Sequence, residues 1–466
     1  MELDAVMLAR IQFGFTVAFH IIFPSFTIGL SAWIATLEGI WLKTGDERYH
    51  VLARFWTKIF AVSFAMGVVS GIVLSYQFGT NWSGFSETVG NVVAPLIGYE
   101  VLTAFFLEAT FLGIMLFGWN RVPKWLHFTA CLAVAIGTLM SAFWILSANS
   151  WMHYPTGHVI RDGIAYPENW LHVIFNPTFP LRLAHMVVAA YLTTAIVILG
   201  VGARYILSGI HLPYARIMVG MGLGLAILLA PLQVFIGDQH GLKTAKYQPA
   251  KLAAMEAHWD GSKPGDLVLF AIPDEEAEKN HFEISIPHGA SLIITHDING
   301  LFPGLKDFKK EDRPPVLIPF FGFRVMVGIG VWFLILCAWG AVRWWKGTLF
   351  DKGLYITLAW WSWPLGFVAI LAGWFTTEVG RQPWIATGIL RTADAASPVS
   401  ALQVAISLGL FVVVYGIVFT AGIYYINRLI HKGPDKSVLK PEEHGGANRP
   451  ISGAESAGRQ VLGSGA

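Results

Sequence analysis

The chain has 466 residues, of which 55% are hydrophobic and only 13% charged, about half the charged share of an average soluble domain. Its net charge of +2, with neither a basic groove nor a stacking platform, gives no reason to expect nucleic acid. The two cysteines, Cys131 and Cys337, lie singly in apolar stretches and offer no disulfide framework, haem c attachment motif or zinc spacing.

The start, MELDAVMLARIQFG, is acidic and has none of the marks of a cleaved signal peptide. About 20 mostly apolar residues span a bilayer. Such stretches predict nine helices, at 11–40, 57–78, 95–118, 126–148, 183–206, 216–236, 317–342, 354–376 and 401–426. The fold class is an all-α polytopic transmembrane bundle with no internal repeat. An odd number of spans puts the termini on opposite sides. Lys43, Arg48, Arg54 and Lys58 mark the first turn-around, and Arg121 and Lys124 the third. Arg204 and Arg216, then Arg343, Lys346 and Lys352, then Arg428, Lys432, Lys436 and Lys440 fall on that same side. The opposite side is poor in cations: 79–94 has no Lys or Arg, and 149–182 has only Arg161 and Arg182. The positive-inside rule then sets the N-terminus outside and the C-terminus in the cytoplasm.

The chain divides into helices one to six (1–236), an outer loop (237–316), helices seven to nine (317–430) and a Gly-, Pro- and Ser-rich tail (431–466) that reads as disordered. The outer loop holds Lys251, Glu256, Asp274, Glu275, Glu276 and Glu278, and a loop this long is expected to be functional or a small folded unit. Within it, Pro249–Trp259 (PAKLAAMEAHW) predicts a short amphipathic helix.

Ionisable groups inside a membrane are costly, about 2.5–3.5 kcal/mol each at mid-bilayer on the mildest scale, and mark function. His20 lies in the first helix, Glu100 and Glu108 in the third, His185 at the start of the fifth, and Glu378 and Arg381 at the end of the eighth. Met326 opens the seventh. Helical geometry sets Glu100 and Glu108 about 80° apart around the axis and about 12 Å apart along it. With the N-terminus outside, His20, Glu100, His185, Met326 and Glu378 all fall in the outer half of the bilayer, beside the loop, and Glu108 lies deeper. A His–Met pair suits low-spin haem iron. His with carboxylates suits a more open iron site for a substrate such as dioxygen. Arg324 and Arg381 suit haem propionates or ligand carboxylates, and 19 Trp and 32 Phe supply apolar walls. Spacing alone leaves haem and another cofactor open.

From about residue 4 to 430 the chain resembles subunit I of the cytochrome bd family of bacterial quinol oxidases. The motifs are RIQFGFTVAFH (10–20), QFGTNW (77–82), the E…FFLE pattern ending at Glu108, SAFWILSANSWM (141–152), GDQHG (237–241), KLAAMEAHW (251–259), FRVM (323–326) and GRQPW (380–384). The resemblance implies that His185 and Met326 are axial ligands of a low-spin haem b. It implies that His20 is the axial ligand of a high-spin haem, and that Glu100 and Glu378 ligate or flank a high-spin pair, a haem b and a third haem that in this family is haem d. Lys251 and Glu256 match residues linked to quinol oxidation, Glu108 and Ser141 the proton route to the oxygen site, and Trp374 an aromatic aid to electron transfer. It further implies a multi-pass protein of the bacterial inner membrane. Its partners would be a haem-free subunit II, a small accessory subunit in some members, quinol and dioxygen. The stretch from Trp259 to Met326 is short, as in the branch that includes the cyanide-insensitive oxidases, where the third haem is d or b. Two rivals remain. A cofactor-free proton-coupled transporter calls for broken helices and inverted repeats, and a bc-type cytochrome b calls for paired histidines that His20 and His185 lack.

Overall fold

In hydrocarbon an apolar run has to satisfy every backbone N–H and C=O internally, which an α-helix does. The computed structural model describes residues 4–439 and consists mainly of such helices. Six come first: α1 Ala5–Thr44, α2 Glu47–Thr80, α3 Ser83–Phe117, α4 Lys124–His153, α5 Phe179–Ser208 and α6 Leu212–Tyr247. A short α7, Pro249–Glu256, lies in the long connection that follows. α8 is Leu317–Trp345, α9 Leu354–Trp361, α10 Leu365–Val379 and α11 Ala401–Lys432. Among the described residues eight helices are long and apolar enough to cross a membrane alone, and α9 with α10, bent by 43°, passes the same test only as a pair. Eight of the nine expected spans are therefore present as single helices among the described residues, and the expected span at 354–376 is a bent pair. The tail beyond Leu439, expected to be disordered, lies outside them.

Each span is longer than the apolar run that predicts it, because the helix continues into polar flanking residues, and α1, α2 and α11 each begin at a side-chain cap. The Asp4 side chain accepts from the Val6 amide to start α1, and Gly45 ends it in the left-handed region at φ 70°. Asp46 at once caps α2 through the Arg48 amide at 2.9 Å. α6 runs on to Tyr247 rather than ending near 236, so GDQHG is helical and not part of a loop. α3 begins at Ser83, twelve residues before its expected start at 95. The ninth span breaks at Ser362–Pro364, where proline has no N–H to continue the ladder.

α5 is the centre of the bundle. Its most apolar window is 72% buried within the chain, against 11% for α11. Small residues bring its neighbours close. A Cβ on Gly222 would stand 3.0 Å from the Ala195 carbonyl oxygen, and one on Gly202 3.0 Å from Met218 Cβ, so α5 and α6 meet almost backbone to backbone.

One irregularity changes the expected geometry. α3 contains a π turn at Val101–Phe105, between Glu100 and Glu108. A π turn accommodates one extra residue. The two carboxylates are then related about as residues seven apart, roughly 20° around the axis instead of 80°. They share one face.

The end of the bundle where α1 starts carries the longer connections. There β1 (His158–Arg161) pairs with β2 (Ile164–Pro167) around Asp162 and Gly163, both at positive φ. β3 (Leu267–Asp274) pairs with β4 (Lys279–Ile286), and β5 (Trp384–Ala386) with β6 (Leu390–Arg391). The segment 248–316 is thus folded, as α7 followed by a hairpin. Every residue of α7 from Lys251 to Glu256 is buried, so the helix expected to be amphipathic keeps no solvated face over those residues.

Candidate functional site

The spans line a partly open cavity of about 1530 Å³, larger than the usual site for one small molecule. His20, Glu100, Glu108, Ser141, His185, Lys251, Glu256, Met326, Trp374, Glu378 and Arg381 all line it. Of the candidate catalytic, cofactor and metal residues named from the sequence, Arg324 alone does not.

Local backbone sequence shapes the room around each donor. His20 Nδ1 is 3.0 Å from Ser70 Oγ, whose own hydroxyl donates to the Met66 and Gly67 carbonyls. Ser70 therefore accepts from Nδ1–H, which leaves the Nε2 lone pair of His20 available to a metal. Gly71 lies against this ring, where a Cβ would come within 3.1 Å of Cε1. The His185 ring has Gln233 Nε2 at 3.2 Å and Gly237 beside it, where a Cβ would be 3.3 Å from Cε1. Met326 Sδ fits over Gly373 of α10, 2.7 Å from where a Cβ would be. Trp374, next in the chain, lies one turn before Glu378.

Ser141 donates to Glu100 at 2.7 Å. Glu108 is 6% exposed and packs where Gly137 of α4 has no side chain, with its Cγ 2.6 Å from a would-be Cβ. Glu378 is held on both oxygens. Oε1 accepts from Asn149 Nδ2 at 3.0 Å and from His153 Nε2 at 3.1 Å, and Oε2 accepts from Arg381.

Lys251 and Glu256 do not pair with one another. Lys251 Nζ donates to His153 Nδ1 at 2.8 Å and to Gln248 Oε1 at 2.7 Å. Burial, with Arg182 and Arg381 adding to it and Glu378 opposing, holds the Lys251 ammonium well below its usual range. Glu256 accepts from Arg324 Nη2 at 2.8 Å. The rest of the Arg324 guanidinium bonds the Val268 and Met255 carbonyls, so it ties the β3 hairpin to α7 and α8. The sequence reading that sent Arg324 to a cofactor carboxylate finds its donors already committed.

Sequence reasoning missed His153. It ends α4 and lies directly between Lys251 and Glu378, so it joins the loop to the membrane carboxylate. Its signal was slight: it follows SAFWILSANSWM by one residue. Arg182 Nε, Arg381 Nε and Arg381 Nη1 are buried and have no hydrogen-bond partner among the described residues. Unpaired buried guanidinium N–H groups are costly unless a carboxylate meets them.

Residues 8–434 match the family described as cytochrome bd terminal oxidase subunit I. The chain is 32% identical to cytochrome bd-II ubiquinol oxidase subunit 1 of Escherichia coli (strain K12), over 94% of this chain and 98% of that one. It is 36% identical to cytochrome bd ubiquinol oxidase subunit 1 of Bacillus subtilis (strain 168), over 93% of this chain and 95% of that one. Among solved structures it is similar to the bd oxidase from Geobacillus thermodenitrificans, with a TM-score of 0.85, 32% identity and coverage of 93% of this chain and 99% of that one.

Proposed function

The chain belongs to the family of cytochrome bd terminal oxidase subunit I, a subunit of a terminal quinol oxidase, and we propose that it oxidises quinol at the outer face and reduces dioxygen to water with cytoplasmic protons. The observation that carries this reading is the single cavity shared by the His, Met and carboxylate donors, bounded at one end by Lys251 and Glu256.

Haem is the cofactor the family implies, and the residues suit it. The cavity is large and mainly apolar, and glycines at 71, 237 and 373 keep room beside His20, His185 and Met326. The open N–H groups of Arg182 and Arg381 suit propionates. His185 and Met326 would hold a low-spin haem b, and His20, Glu100 and Glu378 a high-spin pair, a haem b and a third haem, d or b. Bound haem supplies one-electron redox chemistry at the low-spin iron and an open iron position for dioxygen at the high-spin iron.

The protein's own groups handle protons and position. Glu256, whose Oε2 accepts from Arg324, takes a proton from quinol as general base. Lys251 orients the quinol oxygen. His153 fixes Lys251 relative to Glu378. Protons for water travel past Glu108 toward Ser141 and Glu100. Quinol protons leave outside and the others come from inside, so charge is separated across the membrane without a pump. The orientation with the N-terminus outside follows the cation bias of the loops. The partners are a haem-free subunit II, with a small accessory subunit in some members of the family. The membrane is the bacterial inner membrane that the family implies. Alignment to the Escherichia coli relative runs over 510 positions, more than the 466 residues of this chain, so that relative carries segments this chain lacks.

The test is quinol-dependent oxygen consumption by the purified complex, together with its reduced-minus-oxidised spectrum. A haem-free preparation that moves protons with a solute would support the transporter instead.

A further inference from the structure

At the opposite end of the bundle from Lys251, a second buried polar cluster lies between α1, α3 and α4. Glu38 is fully buried, at 0% exposure, and its Oε1 is 2.8 Å from His127 Nδ1. His127 Nε2 is 3.2 Å from the Met115 carbonyl, which can only accept, so Nε2 carries a hydrogen. One proton therefore sits between Glu38 and Nδ1, on either partner. Cys131 Sγ is 3.7 Å from the same nitrogen, and the three ligand atoms all lie within 4.8 Å of one another. The contact at 2.8 Å favours a proton over a metal ion, because tetrahedral zinc with bonds of about 2.0–2.3 Å keeps its ligand atoms more than about 3 Å apart.

Two further atoms are out of place in a purely structural pair. Glu38 Oε2 and His50 Nε2 are both buried and have no hydrogen-bond partner among the described residues. His50 lies on α2, stacked on Trp41 with ring centroids 4.1 Å apart and 5.4 Å from Trp119, and Trp119 in turn packs 4.0 Å from His127. His50 Nδ1 reaches Glu47, whose side chain is 53% exposed, at 3.1 Å. Bridging water satisfies orphaned polar atoms of this kind. One water between Glu38 Oε2 and His50 Nε2 would complete a path from solvent through Glu47 and His50 to Glu38 and His127. Arg54 and Lys124 lie over the rings of Trp119 and Trp41.

The helices continue the line. On α1, Glu38, Ser31, Thr27 and His20 recur at spacings of seven, four and seven, which keeps them within about 20° of one stripe. On α4, His127, Cys131, Thr138 and Ser141 share a stripe in the same way, within about 40°. Ser31 and Thr138 hydroxyls meet at 3.3 Å across the two helices, beside Gly137 and Glu108. Glu108 and Met115 are seven residues apart on α3, about 10 Å, which about three hydrogen-bonded waters span.

We infer that Glu38 and His127 are the proton-transfer pair at the cytoplasmic mouth of the route to Glu108, fed from the surface through Glu47 and His50. In each transfer a proton arrives at Glu38 Oε2 and the proton shared with His127 leaves toward Glu108, so the pair gains and loses one and no co-reactant is needed. The inference rests on the oxidase reading and the orientation proposed above.

The test uses the purified holo-complex carrying Glu38→Gln. A positioned proton-transfer group supplies about a hundredfold or more, and water can replace part of that. Steady-state oxygen reduction is expected to fall at least about tenfold with an enlarged solvent isotope effect. Haem content and the rate of anaerobic haem reduction by quinol are expected to stay at the wild-type value, because quinol reacts at the other face. A merely structural pair would instead lose haem or slow both reactions alike, and either result overturns the assignment. So does a haem-replete variant with wild-type turnover and isotope effect. If Glu38→Gln does not assemble, His50→Phe, nearer the surface, is measured the same way, with the same expected split and the same overturning result. A wild-type complex that oxidises no quinol would refute the oxidase reading itself.

Discussion

His153 offers the most specific perturbation. Its ring accepts from Lys251 Nζ at 2.8 Å through Nδ1 and donates to Glu378 at 3.1 Å through Nε2. A hydrogen bond between uncharged groups contributes about 0.5–1.5 kcal/mol, and about 1.4 kcal/mol corresponds to a factor of ten. If loss of one such bond releases Lys251 from its position, His153→Ala should lower kcat/KM for quinol by between about twofold and about tenfold. His153→Gln keeps one donor and one acceptor on a side chain of similar reach, so it should recover much of that loss. The assay is steady-state oxygen uptake against quinol concentration, with haem content measured on the same samples. Equal kcat/KM for His153→Ala and wild type would refute the reasoning, as would a Gln variant no better than Ala at equal haem content.

Other outcomes follow from the same geometry. His185→Ala should remove the low-spin haem signal and leave the high-spin signals, and an unchanged reduced spectrum would sink that ligand assignment. Glu108→Leu should slow oxygen reduction at least about tenfold with all haems retained, within the range set by proton-transfer groups; wild-type turnover would show the proton route to be wrong. Gly137→Val would crowd Glu108 Cγ, already 2.6 Å from a would-be Cβ, and should mimic that defect in milder form; oxygen uptake at full haem content reads it. Arg324→Ala leaves Glu256 buried without its cation, which typically costs about 3–5 kcal/mol. It should lower Tm and open the 267–286 hairpin to protease; unchanged Tm and protease resistance would show that the ion pair does not hold the loop.

The spans were legible because hydrocarbon demands long apolar helices, and no other signal in the chain is as strong. Their ends were not, since helical extensions such as Ser83–Asn91 and Gly237–Tyr247 are polar enough to read as loops. The π turn at Val101–Phe105 leaves no mark in an apolar run, yet it sets whether Glu100 and Glu108 share a face. Ionisable residues inside spans stood out by their cost, which exposed His20, Glu100, Glu108 and His185. His153 did not, because it lies at a helix end where histidine is ordinary. Arg324 was visible, but its engagement by Glu256 and two carbonyls depends on a hairpin formed over 50 residues earlier in the chain. The roles attached to these residues came from the family motifs, since spacing alone does not distinguish one cofactor from another.

The central claim is that this cavity holds haem reduced by quinol from the outer end. Its most direct test is the anaerobic difference spectrum of the purified complex on addition of quinol, compared with that on addition of dithionite. The account predicts low-spin and high-spin haem bands with both reductants, and loss of the low-spin bands in His185→Ala. A spectrum with no haem bands, or haem reduced by dithionite but not by quinol, would contradict it.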